Sequence, residues 1–470
     1  MKKFFILAVI AVFTANFFPK NIFANPDLYD ITGTAVMLIE RSTGRVLYER
    51  NPDMLIYPAS MIKVLTAIVM LDYIGLDEIV VVGEEINYVP FGSSRVGHIL
   101  GEHITGHTLL RGLILPSGND TANVVAMNVA TRIAGTPLPF EEAELLFTQL
   151  MNERAREIGL TSSNFTNAHG FHDPDMQVTA RDLITLAGYA IDIPIIRETA
   201  GELQFSDYTV PYTVEGWENM QTRSVLWNNT NRMLVGIFYH PDVTGLKTGF
   251  HTPAGHTFLG TAERDGTELI SVIGGSYSET RFLDTARLFN YAFDNYDFLN
   301  IHTGLNPIHR IDISNPRWGD ESSVYIFGTT NFSHFMTQDE MSSIQRDLVF
   351  FDDFLHLTYP YEEDIERPLS FLAPLYAGDV IGRVVFTLNG EEIFYDNLVI
   401  TENIIAWSYS ESFRYIFSHL VEDPFSILGL SIILAIIFIC IIVSWIISIT
   451  RKILKRSNRL RRMQRTKFKL

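Results

Sequence analysis

A chain of 470 residues with 47% hydrophobic and 19% charged residues is long enough for two or three domains and apolar enough to fold over most of its length. Its formal net charge is −18; taking away the +10 of residues 451–470 and the three lysines of residues 1–25 leaves −31 for residues 26–450. That excess of acid excludes a role for this stretch in binding nucleic acid or other polyanions. A single cysteine, Cys440, excludes an intramolecular disulfide and zinc sites of the usual Cys/His kind.

The chain begins "MKKFFILAVIAVFTANFFPKNIFANP". Lys2 and Lys3 precede an apolar run over 4–18, and Ala24 offers a small residue for cleavage, so 1–24 reads as a secretory signal peptide. A retained N-terminal anchor is the alternative, because Ile22 is not the small residue that cleavage prefers two positions earlier. "GTAVMLIERSTGRVLYERN" alternates apolar and polar residues around Ser42-Thr43-Gly44, a hairpin pattern. "YPASMIKVLTAIVML" (57–71) reads as a buried helix with Pro58 near its start. Residues 109–134 hold two helical patterns split by Pro116-Ser117-Gly118-Asn119, and 141–160 is helical again. From 244 the pattern turns to strand, with Asp265-Gly266 between two apolar runs as a hairpin signal, and "SETRFLDTARLFNYAFDNY" is an amphipathic helix. Strands at both ends with helices between predict an α+β domain over 28–297, an antiparallel sheet with a helical lobe.

Residues 300–405 contain short alternating runs such as "IGRVVFTLNG" and "EEIFYDNLVI" and predict a small all-β domain. It shows no nucleophile pattern and suits a spacer or an interaction module whose partner the sequence does not name. Residues 425–449 carry no charge and are long enough to cross about 30 Å of hydrocarbon as one C-terminal transmembrane helix. Ten Lys or Arg and no acid follow in the tail, 450–470. The positive-inside rule then puts the tail in the cytoplasm and everything before the span outside the plasma membrane.

The apolar helix at 57–71 carries two polar residues, Ser60 and, three positions later, Lys63. This spacing puts both on one face. An ammonium among Ile62, Val64, Leu65 and Ile68 is costly to bury. Desolvation lowers its pKa, and a neutral lysine can take the proton of a serine hydroxyl. Alone, Ser-x-x-Lys is equally a capping serine with a lysine that snorkels to solvent. "LPSGND" adds Ser117 and Asn119 in a tight turn, and "GLKTGF" adds Lys247, Thr248 and Gly249 on a strand before a hairpin. Each is weak alone, whereas the three in this order and at these separations form a joint signal.

That set, Ser60-Met-Ile-Lys63, Ser117-Gly-Asn119 and Lys247-Thr-Gly249, resembles the active-site serine D,D-peptidases of the penicillin-binding protein and β-lactamase superfamily. The blocks "LPSGNDTANVVA", "FTNAHGFHDPDMQVTARDL" and "GLKTGFHTPAGHTFLGTAERDGTELISVIGG" look like the low-molecular-mass D-alanyl-D-alanine carboxypeptidases. "LAPLYAGDVIGRVVFTLNGEEI" looks like their appended β domain, so the resemblance runs from about 30 to 400. It implies a β-lactamase/transpeptidase-like fold and an enzyme that removes the terminal D-alanine of peptidoglycan stem peptides through an acyl-enzyme. It also implies covalent capture of β-lactams, with no metal or organic cofactor. Ser60 is then the nucleophile, Lys63 the general base and Ser117 a proton relay. Asn119 holds Lys63 and the substrate amide, Lys247 supplies positive charge, and Thr248 binds the terminal carboxylate. The backbone N–H groups of Ser60 and Phe250 form the oxyanion hole, and Gly249 keeps the strand edge open to substrate backbone. Arg223 is a second candidate carboxylate anchor; His98, His103, His107, His169, His172 and His251 receive no role. Two other readings stay open. A β-lactamase of the kind that uses a deacylating glutamate finds only Asp173 and Asp175 in 160–180. A non-catalytic wall-binding scaffold would use the same fold. Motifs alone do not separate carboxypeptidase from transpeptidase or endopeptidase activity.

Overall fold

A computed structural model describes residues 28, 30–213, 221–317, 320–356, 370–410, 413–414 and 427–467. The expected signal peptide lies outside them, as do the last three residues of the basic tail. The chain divides into two compact units, 1–299 with 334–338, and 300–333 with 339–470.

The first unit is built on strands β1 (Ala35–Glu40), β2 (Val46–Arg50), β3 (Ile79–Val81), β4 (His103–Thr105), β5 (Gln204–Tyr208), β6 (Ser224–Asn228), β7 (Val243–His251), β8 (Gly255–Arg264) and β9 (Thr267–Ser276). Five of them form one antiparallel sheet in the order β2-β1-β9-β8-β7, which leaves β7 at an edge. Two of its hairpins turn at Ser42-Thr43-Gly44 and at Asp265-Gly266, as the turn residues predict. Both faces of the sheet are covered, so its central strands read as continuous apolar runs rather than as alternation. In β1 every residue is buried. Met37 and Ile39 join the core of the helical lobe, whereas Val36 and Leu38 join a second core with Phe282, Leu288 and Phe289.

The helices are α1 (Lys63–Tyr73), α2 (Gly106–Ile114), α3 (Asn119–Ala134), α4 (Phe140–Ile158), α5 (Ala180–Ile191), α6 (Pro194–Gly201) and α7 (Thr280–Asn295). α1 is packed by α2, α3, α4 and α5 and is buried from Lys63 through Met70. That explains why its sequence is apolar all round. The expected helix at 57–71 begins instead as a tight 3-10 turn, Ala59–Ile62, with the α-helix starting at Lys63. Pro58 brings no N–H, and Ala59 sits in the left-handed region at φ 49°, so the chain enters the helix through a bend.

In the second unit seven of the described strands form one sheet, which includes the long hairpin Val380–Leu388 and Glu391–Ile400. Its core includes Ile326, Phe371, Leu375, Val384 and Leu398. A helix then runs from Ile427 to Lys467, with Ser431–Lys455 apolar enough to cross a membrane at a mean hydropathy of 3.2. It outruns the expected 425–449 span because Arg451, Lys452 and the residues after them are good helix formers with no Gly or Pro among them.

Leu38 is wholly buried at the centre of the sheet. Leu38→Ala should cost about 3 kcal/mol, the usual cost of a core cavity of that size. A thermal unfolding midpoint equal to that of the parent chain would contradict this packing.

Candidate active site

Three elements meet at Ser60. The 3-10 turn before α1 presents the serine, and its hydroxyl lies 2.8 Å from the Lys63 Nζ. Asn119 opens α3 and reaches Lys63 Nζ through its Oδ1 at 2.7 Å. The carbonyl of His169 accepts a third bond from the same nitrogen, also at 2.7 Å. The 167–171 loop that supplies this carbonyl is held by Thr66, whose hydroxyl donates to Ala168 O, and by Asn167, whose Oδ1 accepts from the Gly170 amide. Gly170 itself stands at φ 80°, and a Cβ there would overlap the Ala59 carbonyl. Only glycine lets this loop close on the turn that carries Ser60.

Hydrogen-bond valence decides what this cluster can do. The Asn119 Oδ1 and the His169 carbonyl can only accept, so both must take N–H groups from Lys63. A neutral amine then has its lone pair left for the third partner, the Ser60 hydroxyl. Lys63 is fully buried. Burial, reinforced by the positive charge of Lys247 and opposed by Asp120, pulls its pKa well below the ordinary lysine value. A neutral lysine facing a serine hydroxyl is an activated nucleophile.

Ser117 lies in the turn between α2 and α3, in the left-handed region at φ 65°. This is a strained setting for a non-glycine residue, of the sort that gathers at functional sites. On the other side, β7 carries Lys247, buried among the sheet and pulled down to about 7 by burial and by Arg281. Thr248 Oγ1 is 2.7 Å from Thr230 Oγ1. A Cβ at Gly249 would overlap Thr257 Oγ1 of β8 and press on Ala59 Cβ and the Pro58 carbonyl, each at 3.1 Å, so a bare position here lets β7 pass between β8 and the Ser60 turn.

Ser60, Ser117, Asn119, Thr248, Gly249 and Phe250 line one cavity of about 600 Å³. Lys63 and Lys247 stand behind its wall, fully or almost fully buried. Eight of the nine residues singled out in the sequence therefore gather here. Arg223 does not line the cavity. Its guanidinium donates to both oxygens of the buried Glu102, at 2.7 and 3.2 Å, and Glu102 also pairs with His98 at 2.9 Å. Burial pushes the Glu102 carboxyl up, but the hydrogen bonds from His98 and Arg223 outweigh it and hold it below the usual range. A partly buried arginine just before β6 finds its buried acid here, and is spent on bracing rather than on the cavity.

The cavity also holds a cation that sequence reasoning missed. Arg281 at the start of α7 lines it and donates to the carbonyls of Gly249 and Thr257 at 2.8 and 3.2 Å. Burial and the nearby Arg232 lower its pKa to about 10, so it stays charged at neutral pH. No motif marks it: it is near Gly249 only because β7, β8 and β9 fold back before α7 begins. Phe91, Ser93 and Ser94 from the loop after β3, with Phe171, His172 and His251, are also in the lining. Among the described residues no group of three or more His, Cys, Asp or Glu could hold a metal ion.

Comparison with known proteins places this geometry. The family profile for D-alanyl-D-alanine carboxypeptidases, Peptidase S11, matches residues 21–277. The chain is 27% identical to the D-alanyl-D-alanine carboxypeptidase DacC of Escherichia coli K12, over 80% of this chain and 84% of that protein. It is 25% identical to DacF of Bacillus subtilis 168, over 76% and 82%. Among solved structures, penicillin binding protein 5 from Haemophilus influenzae covers 80% of this chain and 98% of its own at 25% identity, with a TM-score of 0.53. The Streptomyces K15 DD-transpeptidase covers 56% and 98% at 27% identity, with a TM-score of 0.51.

Two outcomes follow for labelling by a fluorescent penicillin. Lys63→Arg, which cannot become neutral, should slow labelling by about 100-fold or more, the usual worth of a general base; labelling at the parent rate would exclude Lys63 from that role. In the parent chain the rate should fall as pH falls and Lys63 gains its proton. A rate that rises toward acid would mean that the charged amine is the active form.

Proposed function

Because the chain belongs to the D-alanyl-D-alanine carboxypeptidase family, we propose that it is a membrane-anchored serine D-Ala-D-Ala carboxypeptidase whose chemistry runs through Ser60 and Lys63. The single observation that carries this reading is the buried Lys63 Nζ, tied to two obligate acceptors and 2.8 Å from the Ser60 hydroxyl. Ser60 Oγ attacks the carbonyl between the two terminal D-alanines while Lys63 takes its proton. The backbone N–H groups of Ser60 and Phe250 receive the developing oxyanion. Ser117 passes a proton to the departing D-alanine amine as the C–N bond breaks. Water then attacks the acyl-enzyme ester, returns a proton through the same groups and frees Ser60. Asn119 orients Lys63 and the substrate amide. Thr248 and Arg281, with charge from Lys247, hold the terminal carboxylate, so Arg281 takes the anchoring role that the sequence suggested for Arg223. Trimming the terminal D-alanine removes the donor that cross-linking requires. β-Lactams would be captured on Ser60 because they resemble the D-Ala-D-Ala terminus.

The peptidase domain over 28–297 and the β domain over 300–405, the latter read as a spacer or interaction module, would lie outside the plasma membrane. The apolar C-terminal helix would anchor them, and the basic tail would stay in the cytoplasm. The signal peptide over 1–24 would direct this export.

The test is D-alanine release from a peptide ending in Lys-D-Ala-D-Ala by the detergent-solubilised full chain and its Ser60→Ala variant. Release by the parent chain alone is expected. Absence of release from a folded parent chain that still captures penicillin would overturn the carboxypeptidase reading in favour of transfer to an amine acceptor.

A further inference from the structure

Thr230 lines the cavity and belongs to none of the three motifs. It follows β6 and touches two of those motifs at once. Its backbone N–H donates to the Leu115 carbonyl at 3.0 Å, just before the turn that carries Ser117. Its hydroxyl lies 2.7 Å from that of Thr248 on β7. The residues on either side hold it there. Asn229 Nδ2 donates to the carbonyls of Ala200 and Glu202, at 3.0 and 2.9 Å, which fastens the segment to the end of α6. Asn229 Oδ1 accepts from the Asn231 amide at 2.9 Å, and Asn231 Oδ1 accepts from that of Met233 at 3.0 Å. These are two successive side-chain turns, the first of them around Thr230.

Hydrogen-bond valence gives the contact between the two hydroxyls a direction once an anion binds. Each threonine has one O–H to donate. One of the pair donates to the other, so a single proton is left for the cavity. Among the described lining residues there is no Asp or Glu to accept that proton. A bound carboxylate only accepts and has about four positions to fill. Arg281 leaves part of that need open, because its Nη1 is spent on the carbonyls of Gly249 and Thr257. If Thr248 gave its proton to Thr230, it would turn only lone pairs toward an anion beside it. If Thr230 donates, Thr248 keeps its proton for the anion, and the bond it receives strengthens the bond it gives.

We propose that Thr230 is a positioning residue: its hydroxyl donates to Thr248 Oγ1 and so directs the Thr248 O–H to the terminal carboxylate of the substrate. This deepens the carboxypeptidase reading and rests on it for the identity of the anion. The backbone bond to Leu115 sets where the donor stands, so the Ser117 turn and β7 share one spacer.

The experiment uses the solubilised full chain and its Thr230→Val variant, which keeps the shape and the backbone N–H and removes only the hydroxyl. Two readouts are paired. The first is kcat/KM for D-alanine release from Nα,Nε-diacetyl-Lys-D-Ala-D-Ala. The second is the rate constant for Ser60 acylation by benzylpenicillin relative to its methyl ester, which has no free carboxylate. Thr230→Val should lower peptide turnover and the benzylpenicillin rate by about tenfold each, the worth of one hydrogen bond, and should leave the methyl ester rate within about twofold. Thr230→Ser should restore most of both losses. Adding Thr230→Val to Thr248→Val should cost little more, because the hydroxyl to be directed is already gone. Thr230→Ala repeats the comparison without the branched methyl groups, should these disturb the turn. A loss shared equally by benzylpenicillin and its methyl ester would mean that Thr230 only shapes the wall, and overturns the proposal, as does a benzylpenicillin rate unchanged in Thr230→Val. No peptide turnover in the parent chain, together with a penicillin ratio that still responds to Thr230, overturns the carboxypeptidase reading and leaves the role of Thr230 standing.

Discussion

A single buried nitrogen organises the first unit. Lys63 Nζ bonds the Ser60 hydroxyl, the Asn119 side chain and the His169 carbonyl within 2.7 to 2.8 Å, and each partner comes from a different part of the chain. Placing an amine in an apolar helix costs free energy unless it is neutral or well paired. Here the same burial that makes the position costly also lowers the pKa, so the amine can act as a base. Stability and chemistry are set by one contact. Losing either obligate acceptor would leave an N–H unpaired in the core and let the lone pair turn away from Ser60.

Much of the surrounding structure exists to hold those partners at that distance. α1 is enclosed by four helices, which fixes the lysine stem. The Asn119 end is secured through its neighbour, since Asp120 gathers the amides of Val96, Gly97 and His98. The same loop continues to Glu102, where Arg223 and His98 meet a fully buried carboxylate. Removing one partner from such a pair leaves an uncompensated buried charge and is far more damaging than the pair is stabilising. Arg223 therefore supports the cavity by bracing the loop from which Phe91 and Ser94 face it. The glycines at 170 and 249 serve the same end from the other side, because a Cβ at either would push the loop or β7 away from Pro58–Ala59.

Charge around the cavity is divided. Burial and the charge of Lys247 lower the proton affinity of Lys63, and burial and the charge of Arg281 lower that of Lys247, so the three groups can share one wall without all being charged. In the proposed mechanism this gradient would separate a base at Lys63 from a persistent cation at Arg281.

Local pattern made a large part of this protein legible in the sequence. Turn residues at Ser42-Thr43-Gly44 and Asp265-Gly266 marked two of the sheet's hairpins, apolar runs marked α1 and the C-terminal helix, and the spacing of Ser60 to Lys63 put both on one face. These features depend on neighbours a few residues away, so the chain alone determines them. Other features depend on pairs far apart. The start of α1 at Lys63 rather than at Tyr57 follows from the left-handed Ala59, which Gly170 of a distant loop approaches. The partnership of Arg223 with Glu102 spans 121 positions, and that of Arg281 with Gly249 spans 32. A lone arginine before a strand or at a helix start carries no local mark of its partner. Sequence by itself determined which residues could be nucleophile and base; tertiary structure decided which arginine faces the cavity and which is consumed in a buried ion pair, because the burial that distinguishes the two roles arises only when distant segments pack.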